Sequence, residues 1–169
     1  DTNLYKRRQN VIREQLGISK KQIMLTFVGR LIEAKGVQDL VAVMPSLRKQ
    51  YNNIKLVIVG SGKYQKELET QCANNDIENL TIFTGSKNQH EVIDILSATD
   101  IFISPSHSEG LPTAIMEAAS IGLPIVATMT GGANEIIQHN HSGLLIEPKN
   151  TMQLEEALRK MIDNAILRH

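Results

Sequence analysis

The sequence predicts an α/β domain, a Rossmann-like, doubly wound parallel sheet of about six strands with helices on both faces. Two observations carry this. Six short β-branched runs are mostly apolar throughout, without in-and-out alternation, and strands buried on both faces have that pattern. Between the runs, apolar residues recur at helical spacing, so strand, loop and helix repeat along the chain and right-handed crossovers follow.

In chain order, the first twenty residues stand apart. Leu4, Arg8, Val11, Ile12 and Leu16 form a short helical stripe ended by Gly17, and Lys6, Arg7 and Arg8 read as a solvated face. Strands are predicted at 23–28, 54–59, 80–84, 101–104, 124–127 and 143–146, with Gly29, Gly60 and Gly85 closing the first three. Val37, Leu40, Val41, Met44 and Leu47 make one helical stripe. Pro45 falls inside it and is expected to kink or divide that helix, at a cost of about 3 kcal/mol in a straight one. Pro112 suits the first turn of another helix, where an N–H is not needed. Leu154, Ala157, Leu158, Met161, Ile162 and Ala165 make the last stripe, ending near Leu167.

Composition removes several function classes. A chain of 169 residues can bury roughly 70% of its unfolded surface and needs no staples. The single Cys72 forms no internal disulfide and fits a reducing compartment. Lys+Arg and Asp+Glu both number 18, which leaves no general field for nucleic acid or an anionic membrane, so any anion site is local. No apolar run spans a bilayer, and no signal-peptide core opens the chain; a cytoplasmic protein is expected.

In an open α/β sheet, ligands bind at the carboxyl ends of the strands. After the first strand, Gly29-Arg30-Leu31-Ile32-Glu33-Ala34-Lys35-Gly36 puts two cations beside a helix start. That is either an anion site or two exposed loop charges. Gly60-Ser61-Gly62 makes a tight turn that lets a ligand approach the backbone. It is no dinucleotide fingerprint, because Gln65 stands where the third Gly belongs, and no P-loop. The segment from Ser104 to Ala118 is richest. A polar loop ends in Glu109 and Gly110, a helix starts at Pro112, and Glu117 tilts back toward the same cleft, so two carboxylates and free amides would face one hydroxyl-rich ligand. Ser106, His107 and Ser108 are merely adjacent, and Gly-x-Ser-x-Gly is absent, which argues against acyl transfer. His139 and His141 have no partner ligands for a metal nearby. Gly131-Gly132 gives one more glycine-rich turn at a strand end.

Taken in order, these motifs resemble the C-terminal, donor-binding domain of GT-B fold retaining glycosyltransferases of group 1 (family 4). Gly29-Arg30-Leu31 with Lys35-Gly36, Val59-Gly60-Ser61-Gly62 and Phe83-Thr84-Gly85 match its loop, turn and strand end. Glu109-Gly110-Leu111-Pro112 with Glu117-Ala118 and Gly122-Leu123-Pro124 resembles its paired-glutamate signature; Gly131-Gly132 with Glu135, then Gly143-Leu144-Leu145 and Pro148, completes the match.

The resemblance implies a function and a site. Arg30 and Lys35 would hold the donor diphosphate, and Glu109 would contact the transferred sugar, these three being the catalytic candidates. Gly29, Gly60, Gly110, Leu111, Pro112 and Thr113 would lie near the sugar and phosphates, Glu117 would bind the ribose, and main-chain groups around Ile82 and Phe83 would read the base. No cofactor and no metal are expected. Residues 1–20 would be an interdomain linker with a short helix and 21–169 the nucleotide-sugar-binding domain, and the family's N-terminal acceptor domain would be absent from this chain. A fragment of this kind is expected to be inactive alone. The partners expected are a nucleotide-sugar donor, with UDP favoured, and an acceptor glycan or lipid reached through the missing domain, at or near the cytoplasmic face of the membrane. The alternatives are a GT-B sugar-nucleotide epimerase half and a non-catalytic nucleotide-binding module. Asn140 stands where the family commonly has Gly, and Asn tolerates positive φ.

Overall fold

The structure, a computed structural model, describes residues 11–164. Six strands, β1 (Ile23–Val28), β2 (Ile54–Val59), β3 (Thr81–Gly85), β4 (Ile101–Ser104), β5 (Ile125–Thr128) and β6 (Gly143–Ile146), form one sheet. Its order is β3-β2-β1-β4-β5-β6 and every pairing is parallel. The connecting helices are α1 (Val37–Gln50), α2 (Gln65–Asn74), α3 (Gln89–Ala98), α4 (Thr113–Ser120), α5 (Ala133–Ile136) and α6 (Thr151–Asp163).

Alternate strand side chains feed two apolar layers. Leu25 and Phe27 of β1 join Leu40 and Met44 of α1, Leu68 of α2 and Leu158 of α6 on one face. Met24 of the same strand joins Ile95 of α3, Ile115 of α4 and Ala133 of α5 on the other. Burial on both faces is why the strands lack polar alternation.

Four expectations shift. The third and fifth strands each begin one residue later than predicted, because Leu80 closes a 3-10 turn and Pro124 has no N–H to enter the ladder. Helix α1 runs undivided through Pro45: six of its side chains, Val37, Leu40, Val41, Val43, Met44 and Leu47, are buried, and that packing outweighs one lost backbone bond. Pro112 is the N-cap of α4 rather than its first helical residue. Helix α6 ends at Asp163, and Ala165 and Leu167 lie outside the described residues.

Residues 11–15 are helical and Gly17 adopts a positive φ of 66°, as the stripe requires; Leu4, Lys6, Arg7 and Arg8 lie outside the described residues. This segment is anchored at the amino-terminal edge of the sheet. Asp100 Oδ2 accepts from the Arg13 guanidinium at 2.5 Å and from the Met24 N–H at 2.7 Å, while Arg13 Nε donates to Ala98 O. No helix among the described residues is long and apolar enough to cross a membrane.

Candidate functional site

The strand order reverses between β1 and β4, so the loops after these two strands part and leave a crevice at their carboxyl ends. A cleft of about 410 Å³ occupies that position, and Gly29, Arg30 and Lys35 from the β1 loop line it. Glu109, Leu111, Pro112, Thr113 and Glu117 line it from the β4 loop and α4. Arg30 and Glu117 therefore face one cavity.

Glycines set how closely the loops stack. Gly36 caps α1 with φ 67°, and a Cβ there would overlap the Pro105 carbonyl. A Cβ at Gly131, φ 52°, would likewise overlap the Glu109 carbonyl. Any side chain at either position would push a loop outward. Backbone bonds complete the contact, with the His107 and Ser108 N–H groups both donating to Ala34 O at 2.9 and 3.3 Å. Thr128 Oγ1 donates to Ser106 O at 2.6 Å from below.

Charge is paired inside the cleft. Lys35 Nζ sits 2.7 and 2.6 Å from the two Glu109 carboxylate oxygens, and Ser106 Oγ donates to one of them at 3.2 Å. Both side chains are largely sheltered, at 18% and 13% exposed. Arg30 is exposed and Glu117 half-buried. Helix α4 has no side-chain N-cap. Its Thr113 N–H is spent on Leu111 O at 2.9 Å and its Met116 N–H on Pro112 O at 3.0 Å. The first-turn amides left toward the cleft belong to Ala114 and Ile115, both of which line it. A helix start of this kind attracts anions.

Four predicted residues do not line the cleft. Gly60 leaves β2 with φ 134° and bonds through its N–H to Gly85 O. Gly110 is exposed with open space around it. Ile82 and Phe83 lie on β3, the edge strand two places from the crevice, and pack against opposite faces of the sheet.

Two polar lining residues were not singled out from sequence. Lys87 and Gln89 follow β3 and border the cavity from that side. The rule that pointed to Arg30 and Glu109, attention to the residues just past each strand, reaches Lys87 two positions after Gly85. Lys87 also pairs with Glu91 at 3.2 Å. The Asn88 backbone N–H, and after it Lys87, hold the Glu91 carboxyl below its usual range. Among the described residues, no three His, Cys, Asp or Glu side chains cluster as metal ligands do.

A family model described as glycosyl transferases group 1 matches residues 8–169. The chain belongs to this family. It is 37% identical over 150 residues to TuaC of Bacillus subtilis (strain 168), a glycosyltransferase named for teichuronic acid biosynthesis, covering 88% of this chain and 35% of that protein. It is 30% identical over 142 residues to a GDP-mannose-dependent alpha-(1-6)-phosphatidylinositol monomannoside mannosyltransferase of Mycobacterium tuberculosis (strain CDC 1551 / Oshkosh), covering 80% and 37%. The chain thus spans little more than a third of these relatives. Among solved structures, Anabaena Alr3699/HepE in complex with UDP and glucose superposes with a TM-score of 0.88 at 25% identity, over 99% of this chain and 46% of that one. The C-terminal domain of the Francisella tularensis group 1 protein LpcC gives 0.85 at 28% identity, over 95% and 85%. The six-stranded parallel architecture of this group 1 glycosyltransferase chain is that of the C-terminal domain of a GT-B enzyme.

Proposed function

We propose that this chain is the donor-binding part of a retaining hexosyltransferase that takes a nucleoside-diphosphate sugar, with UDP the favoured nucleotide. The observation that carries the reading is the meeting of Arg30, Lys35, Glu109, Glu117 and the first-turn amides of α4 around one cavity at the β1/β4 crevice. A diphosphate needs cations and unspent N–H groups; a ribose and a hexose need carboxylates that accept from hydroxyls. HepE, solved with UDP and glucose, supports UDP, and the mycobacterial relative, named for GDP-mannose, makes GDP the competing base.

On this reading Arg30 and Lys35 grip the diphosphate and stabilise the negative charge on the departing nucleotide, the electrostatic contribution that commonly dominates such reactions. Lys87 adds a third cation at the rim. These groups supply the positive charge the leaving group requires, so the reading calls for no metal ion and no cofactor. Glu117 accepts from the ribose hydroxyls. Glu109 is held by Lys35, and when the diphosphate draws Lys35 away, its carboxylate is released toward the sugar hydroxyls. The acceptor, a glycan or lipid of a cell-surface polysaccharide or glycoconjugate, reaches the sugar from a second domain across the cleft, in the cytoplasm or at the cytoplasmic face of the membrane.

Thermal unfolding with UDP, GDP, ADP and their sugar conjugates tests this. A ligand at a hundred times its Kd stabilises by about 2.7 kcal/mol, which raises the Tm of a chain this size by about 5–11 °C. The absence of a shift with all of them defeats the proposal.

A further inference from the structure

We propose that His107 and Asp39 are positioning residues that hold the cation-bearing and acid-bearing loops in register while a donor diphosphate is bound; the inference rests on the proposed function above. His107 Nε2 donates to Asp39 Oδ2 at 2.6 Å, and the two side chains are only 14% and 18% exposed. Asp39 stands in the first turn of α1, four residues beyond Lys35, and His107 stands two residues before Glu109. The contact therefore closes a ring. It runs from Lys35 through Gly36 to Asp39, across to His107, along the loop to Glu109, and back through the ion pair to Lys35.

This ring has two side-chain ties, Lys35 with Glu109 and His107 with Asp39. A diphosphate that recruits Lys35 breaks the first. The His107–Asp39 bond is then the side-chain contact left joining the β1 loop to the β4 loop, beside the two N–H bonds to Ala34 O. The imidazole ring also lies against Gly36, with Cδ2 3.2 Å from where a Cβ would stand, so it packs at the point where the two loops meet. Neither side chain lines the cavity, which separates their role from that of the groups that touch donor. The tie matters most in the loaded state, and its loss shows there first.

The test compares wild type, His107→Ala, His107→Gln and Asp39→Asn in the 169-residue chain. The probe is whichever of UDP, GDP and ADP the wild type binds best, set against its bare nucleoside. His107→Ala should weaken the diphosphate about tenfold or more. Nucleoside affinity should change less than about twofold, and the unliganded Tm should fall by only about 2–4 °C, as for the loss of one ordinary hydrogen bond. His107→Gln, whose amide can donate to Asp39, should recover diphosphate affinity to within about threefold of wild type. Asp39→Asn should fall between wild type and His107→Ala. Unchanged diphosphate affinity in His107→Ala, a parallel loss of nucleoside, or a Gln variant no better than Ala each overturns the inference. A wild type that binds none of the three diphosphates overturns the proposed function instead, and that result is seen before any variant is made.

Discussion

Lys35 and Glu109 are engaged with each other, and this fixes what Glu109→Gln must do. The ammonium contacts both carboxylate oxygens, at 2.6 and 2.7 Å. Two unit charges about 3 Å apart attract with about 5 kcal/mol at an effective dielectric near 20. Desolvation and ordering of the side chains return most of that, and a pair still partly open to water nets about 1–2 kcal/mol. The unliganded variant should lose that amount, a fall in Tm of about 2–8 °C. Binding moves the other way. A diphosphate entering the wild type must draw Lys35 off Glu109, whereas in the variant Lys35 is already free. UDP should therefore bind Glu109→Gln about 5–30-fold more tightly, while the extra affinity contributed by the sugar of UDP-glucose disappears. Isothermal titration calorimetry with both ligands on both proteins measures each effect. UDP affinity that is unchanged or weaker in Glu109→Gln refutes the exchange of partners.

Other perturbations separate the remaining roles. Glu117→Ala should weaken UDP by about tenfold or more with little change in the unliganded Tm, and the variant should no longer distinguish UDP from its 2′,3′-dideoxy analogue in a titration. Arg30→Ala combined with Lys35→Ala should cost far more affinity for the diphosphate than for the bare nucleoside, measured side by side; equal losses would mean that these cations do not hold phosphate. Asp100→Ala removes the acceptor for Arg13 and the Met24 N–H at the amino-terminal ends of the central strands, opposite the crevice. Its partial exposure limits the cost to about 2 kcal/mol, or about 4–8 °C in Tm, and nucleotide affinity at temperatures where the variant is folded should stay at the wild-type value.

Most of the fold was legible because its strands are buried on both faces. Runs such as Ile54–Val59 carry no polar alternation, and together with the helical stripes between them that pattern separates a parallel sheet from a sandwich. The one-residue errors at Leu80 and Pro124 have a local cause: both residues are apolar and extend the run on paper, yet one ends a 3-10 turn and the other lacks a donor. Pro45 misled because propensity weighs a single residue, whereas packing sums six buried side chains along α1. That Arg30, Lys35, Glu109 and Glu117 converge on one crevice was legible from their places after strands and on a helix face. That Lys35 and Glu109 bond to each other was not, since the residues are 74 positions apart and only the β1/β4 adjacency brings them together. The same holds for His107 and Asp39, 68 apart. The resemblance implied the Thr113 N–H near the phosphates; that group is already engaged by Leu111 O, and the first-turn amides at the cleft are those of Ala114 and Ile115.

Amide chemical-shift mapping of the labelled chain during titration with UDP and UDP-glucose addresses the central claim most directly. The account predicts saturable shifts concentrated at Arg30, Lys35, Ala114, Ile115 and Glu117. Shifts centred instead on the cavity around Asn140, His141 and Lys160 at the β5 and β6 side of the sheet, with the β1/β4 crevice silent, would contradict it.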